Sequence, residues 1–550
     1  KGTPEWIEYT LDLDHQDHTW TYNETSNTYT LSVVPAVAYP VLPDYQGVSV
    51  CVPGVYVKGL DTEGNLIIDY NAKFVNPNGV TYTAATAPVI LNTGAAGYGS
   101  QRSGKAGSNH AKYGYISVNC GNRGKQSKVT DADGKVLYYT GDAPSCLVDQ
   151  KAATRWVKYN IMLKNIPGSI HHFVSTGGSG GAAHATMFAA TSNNPDFYPY
   201  QAEVGAVGVY KDEKTGKYVA ALSNGTPLSD GAWGSQGYST ISSLYEADAA
   251  QAFEYHLWPK FPYKSPFQAK LAEYLSEAYM SYINSQNLVV NGKKLTIQYD
   301  LKKHPETNGY YGTYLEYMLD QFQKDLEWYL NNLEWSSSWT KDDPKMSDVE
   351  AYMKGAYSYQ QTGRGGGPPG GDMAGPGGAS SGTGTATTVR GTDFTSWVKY
   401  SVNKDGTYSV DFSLADMMAY RGAKMNKPVP GFDVITYGQE DWVFGDADSD
   451  ARHFSVFVNN VFSDPAKAAV LKPLYSTTDS KQYLDANGNA DFDAMIASYK
   501  ADIAEIAKGD KYGKNIADLY NPIRYIGAEG TEDPSWSRIM MGGVEGDIAM

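Results

Sequence analysis

Cysteine is nearly absent: Cys51, Cys120 and Cys146 are the three in 550 residues, and no two of them form a C-x-x-C pair. That spacing speaks against a zinc site and leaves buried free thiols or a single disulfide. No run of roughly 18 consecutive apolar residues occurs, so no segment reads as a membrane span. Basic tracts are missing as well. The 45 Lys and Arg are outnumbered by 60 Asp and Glu, for a formal net charge of −15, which argues against a nucleic-acid surface and for small or neutral partners. The opening "KGTPEWIEYTLDLD" has neither an initiator methionine nor a signal-peptide apolar region, and the expectation is that a segment ahead of it has been removed. Low charge density with 44 Tyr and 57 Gly points to an extracellular or cell-surface protein.

The first half carries β-like runs separated by turns: "TYTLSVVPAVAYPV", "VSVCVPGVYV", "APVILNT", "GYISVNC" and "SIHHFVST". A helical pattern, "SCLVDQKAATRWVKYNIML", precedes the last of them, with Leu147, Ala152, Trp156 and Ile161 at near-helical intervals. Strands alternating with helices predict a mostly parallel sheet covered on both faces. After about residue 260 the texture changes to long amphipathic helices, "FQAKLAEYLSEAYMSYINSQNL" and "YYGTYLEYMLDQFQKDLEWYLNNLEW", with no strands expected between them. The Gly/Pro/Ser-rich stretch 363–390 is expected to be a loop without chemistry of its own, because it offers too little apolar area to offset its ordering entropy. "YLDANGNADFDAMIASY" offers Asp485, Asn487, Asn489, Asp491 and Asp493 at calcium-like intervals. It lacks the glycine at the sixth loop position and the glutamate at the twelfth, so a solvated turn before a helix is expected and no metal site.

One short stretch carries chemistry. In "HHFVSTGGSGGAAHATMFAAT" a short strand-like run ends in Gly177-Gly178-Ser179-Gly180-Gly181, and a small-residue helical pattern follows. Strand, G-x-S-x-G and helix in that order form the nucleophile elbow of α/β-hydrolases, in which a strained turn exposes the serine Oγ and crowding excludes a Cβ two residues to either side. A glycine-rich turn, or a phosphate cradle at a helix N-terminus, is the alternative.

Several segments taken together resemble the bacterial tannases (tannin acyl hydrolases): "ATAPVILNTGAAGY", "GNRGK", "GDAPSCLVDQKAATRWVKYN", "VSTGGSGGAAHATMFAATSN", "KPVPGFD", "VFGDADSDARHF" and "NPIRYIGAEGTEDPSWSRIMMGGVEGD". The resemblance implies an α/β-hydrolase core with a large, mainly helical inserted lid. Residues 1–260 would form the first part of the core, 261–520 the lid, and 521–550 the return to a core that continues past Met550. It implies a serine esterase for galloyl esters that needs no cofactor, with Ser179 as nucleophile and the backbone N–H groups of Gly180 and Gly97 as oxyanion donors; Gly94 competes for the second place. Glu545 falls on the position of the triad acid, with Asp547 as its rival. Lys427, Glu440 and Asp547 fall where the family holds the galloyl hydroxyls. The family's catalytic histidine follows the acid, yet no histidine follows Glu545 before Met550. His453 matches a histidine of the family's lid and is expected to be structural, as are His171, His172 and His184 beside the elbow. A feruloyl-type or other aryl esterase, and a polyphenol- or glycan-binding protein on a degenerate hydrolase scaffold, are the rival functions.

Overall fold

The computed structural model of the chain describes residues 2–238, 240–333, 349–356, 358–362, 386–424, 437–438, 440–445 and 451–540. The architecture is α/β, built on a nine-stranded mixed sheet of β1 (Trp20–Asn23), β2 (Thr28–Leu31), β3 (Val34–Pro35), β4 (Gly47–Pro53), β5 (Val89–Thr93), β6 (Ile116–Cys120), β7 (Phe173–Gly178), β8 (Gly234–Tyr238) and β9 (Trp536–Met540). Their order across the sheet is β1-β2-β4-β6-β5-β7-β8-β9, with β3 paired to β4.

The sheet is parallel only from β6 to β9; β1 to β4 pair antiparallel with one another and β4 pairs antiparallel with β6. The expectation of a mostly parallel sheet therefore holds for the half that carries the elbow. In the other half β1 and β2 are joined by the short turn 24–27, which permits antiparallel pairing without a crossover helix, and β2 and β3 both pair along β4. All seven residues of β4, "GVSVCVP", are buried, as its central position with both faces covered requires.

Helix α1 (Ser145–Met162) is buried along nearly its whole circumference, from Cys146 to Asn160, where one apolar face was expected. Its polar residues find partners inside. Arg123 and Asp149 form a buried fork, with Nη2 to Oδ1 at 2.9 Å and Nε to Oδ2 at 3.0 Å. Asp230 receives Arg155 Nη2 at 2.9 Å, Lys151 Nζ at 3.2 Å, Gln201 Nε2 at 3.0 Å and the Asn193 N–H at 2.7 Å. Charge in these positions hides the burial from a hydrophobicity pattern. The three cysteines are free thiols, all buried.

Helices α2 (Gly180–Ala190) and α3 (Ala247–His256) follow, and then α4 (Pro266–Ser285). Helix α4 starts as its sequence dictates: Pro266 occupies the first turn and the Ser265 Oγ accepts the Gln268 N–H at 3.1 Å. Phe267, Leu271, Leu275, Tyr279 and Ile283, spaced by four, form its buried stripe. Between α4 and α5 (Thr313–Asn331) the chain makes two small β-pairs, Val289–Val290 with Lys293–Lys294 and Gln298–Tyr299 with Tyr310–Tyr311. Strands do intervene between the two long helices, too short to show as alternation. Of the Gly/Pro-rich stretch, 363–385 lies outside the described residues, while Ala386–Arg390 is a strand paired with Ser358–Thr362. Helices α6 (Val456–Ser463) and α7 (Phe492–Ala507) complete the helical region before the chain returns to the sheet as β9. The acidic turn ahead of α7 serves the backbone: Asp485 accepts the N–H groups of Asn487 and Asn489, and Asp491 caps the helix through the Ala494 N–H. No group of residues able to hold a metal ion occurs among the described residues, and no helix among them is long and apolar enough to cross a membrane.

Candidate active site

Ser179 stands between β7 and α2 with φ 53° and ψ −127°. A non-glycine residue in this region carries strain of about 1–3 kcal/mol, which the surrounding structure must over-determine. The restraints are visible. The Ser179 N–H donates to the Tyr238 carbonyl at 2.8 Å, and the Ser179 carbonyl receives the N–H groups of Ala182 and Ala183 at 2.9 and 3.0 Å. A Cβ on Gly177 would lie 2.5 Å from the Gly181 backbone, and one on Gly181 would lie 2.4 Å from the Thr93 carbonyl oxygen. Ser179 itself is exposed. The turn has the form of a nucleophile elbow, and its serine side chain makes no helix-capping bond.

The loop after β5 closes on this turn. A Cβ on Gly180 would come within 2.6 Å of both the Ala95 carbonyl oxygen and the Tyr98 nitrogen, and within 3.1 Å of the Gly97 nitrogen. Gly97 and Tyr98 are successive residues with positive φ, 61° and 59°. Gly94, by contrast, packs against the Gln101 side chain. The N–H groups of Gly97 and Gly180 donate to no backbone carbonyl among the described residues, so two donors from different segments lie beside the exposed serine.

The four histidines considered from the sequence make other contacts. His184, one turn into α2, is buried; its Nδ1 lies 2.8 Å from the Gly180 carbonyl and its Nε2 3.0 Å from the Tyr520 hydroxyl. Burial pushes its pKa down to about 4, so it is a neutral strut between the elbow helix and residues 518–520. His171 and His172 are exposed and precede β7, which begins only at Phe173; the β-like run "SIHHFVST" is therefore strand only in its second half. His453 is fully buried, with Nδ1 2.7 Å from Asp502 Oδ2 and its ring stacked on Tyr437 and Tyr499 at 4.5 and 4.0 Å. No described hydrogen bond joins a histidine to the Ser179 hydroxyl.

The helical region reaches the elbow through Val443, Phe444 and Phe454. Val443 accepts the Ala143 N–H at 2.7 Å, Phe444 packs on Phe454 and Tyr520, and these side chains share a core with Met187 and Phe188 of α2. This seats Glu440 near Lys125. The Lys125 backbone N–H donates to the Tyr98 carbonyl at 2.8 Å, and Lys125 forms a bridge with Gly99. Partial burial pushes the Lys125 pKa down, and the Glu440 carboxylate offsets part of that. Lys125, within the quoted "GNRGK" but given no role from sequence, is thus tied to the oxyanion loop by its backbone and to Glu440 by charge. Its signal was there, a lysine bound to a glycine-rich turn, but only the Tyr98 and Glu440 contacts give it meaning.

Lys427, Glu545 and Asp547 lie outside the described residues. The last two follow β9, whose final residue Met540 is level with Tyr238, itself level with Gly178 of β7. The chain therefore leaves β9 at the same carboxyl end of the strands as Ser179, where open α/β sheets gather their functional groups.

Comparison with known proteins agrees with this geometry at the level of fold. The sequence matches no family model and no curated relative. Among solved structures, Fusobacterium nucleatum tannase superposes with a TM-score of 0.58 at 18% identity, over 98% of this chain and 90% of that one. The tannin acyl hydrolase of Lactobacillus plantarum gives 0.55 at 18% identity, over 98% and 89%, and a tannin acyl hydrolase in complex with ethyl gallate gives 0.55 at 17%, over 98% and 88%. The chain shares the tannase fold across nearly its whole length.

Proposed function

We propose that this protein is a tannase-like carboxylic ester hydrolase acting on galloyl esters, with Ser179 as its nucleophile. The observation that carries the proposal is the exposed, strained Ser179 facing the Gly97–Tyr98 turn within a fold shared with tannases. The Ser179 Oγ attacks the ester carbonyl, the N–H groups of Gly180 and Gly97 receive the developing oxyanion, and the C–O bond to the alcohol breaks as that alcohol takes a proton. Water then releases the aromatic acid from the acyl-serine. The Gly180 contacts favour Gly97 over Gly94 as the second donor.

Glu545, at the matched position, is the proposed acid that orients and charge-stabilises the imidazole partner of the serine. His184 and His453 are engaged elsewhere, with Gly180 and Tyr520 and with Asp502. The 261–520 region is the proposed lid, and Lys427, Glu440 and Asp547 the groups that hold the ring hydroxyls. The packing of Val443, Phe444 and Phe454 with α2 supports this reading because Glu440, just ahead of Val443, lies close enough to Lys125 for its charge to act there.

Replacing Ser179 by alanine should lower methyl gallate turnover by roughly 10⁴-fold or more, the scale of losing a covalent nucleophile, while gallate still binds. An unchanged rate would overturn the assignment. A site that hydrogen-bonds ring hydroxyls should also reject methyl benzoate strongly, since its polar groups are left buried and unpaired; equal rates on methyl gallate, benzoate and ferulate would favour a general aryl esterase.

A further inference from the structure

A second cavity, of about 890 Å³, opens on the helical region and does not include Ser179. Its floor is aromatic and fixed. Phe261 and Tyr310 are buried; Phe261 packs edge-on against Tyr263 at 4.7 Å and Trp258 at 6.3 Å, and Tyr310 packs against Tyr299 at 5.1 Å. The polar tips behind that floor already have partners: His256 Nδ1 lies 3.2 Å from the Tyr263 hydroxyl and its Nε2 2.9 Å from the Asn308 amide nitrogen. Ring faces and carboxylates remain for a ligand. Tyr299 is 54% exposed and Trp258 half-buried, and the pyrrolidines of Pro259 and Pro266 add two more flat apolar faces.

Along one wall, Glu273 and Glu277 stand one helical turn apart on α4. Like charges at this spacing repel. Each has a cation beside it, Lys270 at 2.5 Å from Glu273 and Lys467 at 3.6 Å from Glu277, which holds the carboxylates in place as acceptors. Flat apolar faces next to paired acceptors match one ligand chemistry closely, an aromatic ring bearing adjacent hydroxyls: the ring stacks and the phenols donate. The volume is that of a site for a drug-sized molecule, larger than one such ring needs.

We infer that this groove is a second, non-catalytic binding site for hydroxylated aromatic rings, which holds further galloyl groups of a multiply galloylated substrate while one ester is cleaved at Ser179. The catalytic half of this inference rests on the esterase reading above; the binding half does not.

The test uses the whole protein with Trp258→Ala/Tyr299→Ala and, as a variant that leaves the packing intact, Glu277→Gln. Calorimetry with pentagalloyl glucose is the first arm. In the Ser179→Ala background we expect two classes of site, one of which the double variant removes and Glu277→Gln weakens several-fold. In the Ser179-intact enzyme, KM for pentagalloyl glucose should rise about tenfold in the double variant with kcat unchanged, and methyl gallate kinetics should not move. Unaltered pentagalloyl glucose binding in both variants would overturn the site. Loss of binding to a neutral glucan such as maltohexaose, with polyphenol binding intact, would also overturn it and assign the groove to carbohydrate. Absence of hydrolysis from every sample, with the calorimetric loss still present, would reject the esterase reading and keep the groove.

Discussion

The region around the elbow and the helical region after it are stabilised by different means. Beside the elbow, α1 and the chain around it bury charges that find several partners each: Asp230 with Lys151, Arg155, Gln201 and Asn193, and Asp149 with Arg123 and Gln46. The helical region buries rings. Phe253 meets Tyr279 and Tyr310 at 5.1 and 5.2 Å, Phe462 meets Tyr499 at 5.3 Å, and the Tyr279 and Tyr314 hydroxyls are 2.8 Å apart. Multi-partner ionic hydrogen bonds are directional and short, and they fix backbone segments from residues 151 to 230 relative to one another. That suits a turn that must hold Ser179 in a strained conformation. Ring clusters depend on area and shape, and accommodate small shifts, which suits an aromatic groove.

The sharpest way to break this contrast is to remove its central charge. Burial raises the cost of ionising Asp230, yet Lys151 and Arg155 hold its carboxyl well below the usual carboxylate range. Asp230→Ala would strand two buried cations and should destabilise the protein by about 3–5 kcal/mol, read by urea unfolding. Tyr279→Phe in the helical region removes one hydroxyl pair and should cost about 1 kcal/mol. Similar losses from the two substitutions would show that the regions do not differ in the way described.

The next largest effect is expected where the two regions meet through charge. Lys125→Met and Glu440→Gln should each reduce kcat/KM for methyl gallate by about 1–3 kcal/mol in transition-state terms and leave an ester without ring hydroxyls nearly unaffected. Because the Glu440 charge acts on Lys125, the double variant should lose less than the sum. Full additivity would mean that Lys125 acts apart from Glu440.

Legibility in the sequence divides along the same line. The elbow could be read because its constraint is local: Gly177 and Gly181 flank Ser179 by two residues on each side, and both are positions where a Cβ meets backbone. Helix α4 was equally plain, with its Ser-Pro start and apolar residues every fourth position. The antiparallel half of the sheet was not, since β1, β2 and β4 look like any buried strands and only the links between them set their direction. Nor was the full burial of α1, because "VDQKAATRWVKYN" gives no hint that Asp230, some seventy residues on, will neutralise it. Lys125 escaped notice for the same reason, its Tyr98 and Glu440 contacts being distant in sequence.

Lys158 offers the smallest and most specific test of how the elbow region tolerates its charges. Its Nζ donates to the Gly231 carbonyl at 2.6 Å beneath the Phe173 ring, and burial pushes its pKa down to about 8, against the pull of Asp230. An unfolded lysine titrates near about 10.4. Below pH 7 both states hold the proton and the group adds no slope. From about pH 8 upward the folded protein releases a proton that the unfolded chain still binds, so the unfolded state carries more protons and stability must rise with pH. The rise is at most about 1.4 kcal/mol per pH unit for one group. Exposed tyrosines begin to ionise near pH 10, which confines the useful window to pH 8–9.5. Lys158→Met deletes this contribution, so the stability of the wild type relative to the variant should increase across that window and stay flat from pH 6 to 7. A difference that is constant with pH would mean that Lys158 keeps its proton in the folded core, held there by Asp230.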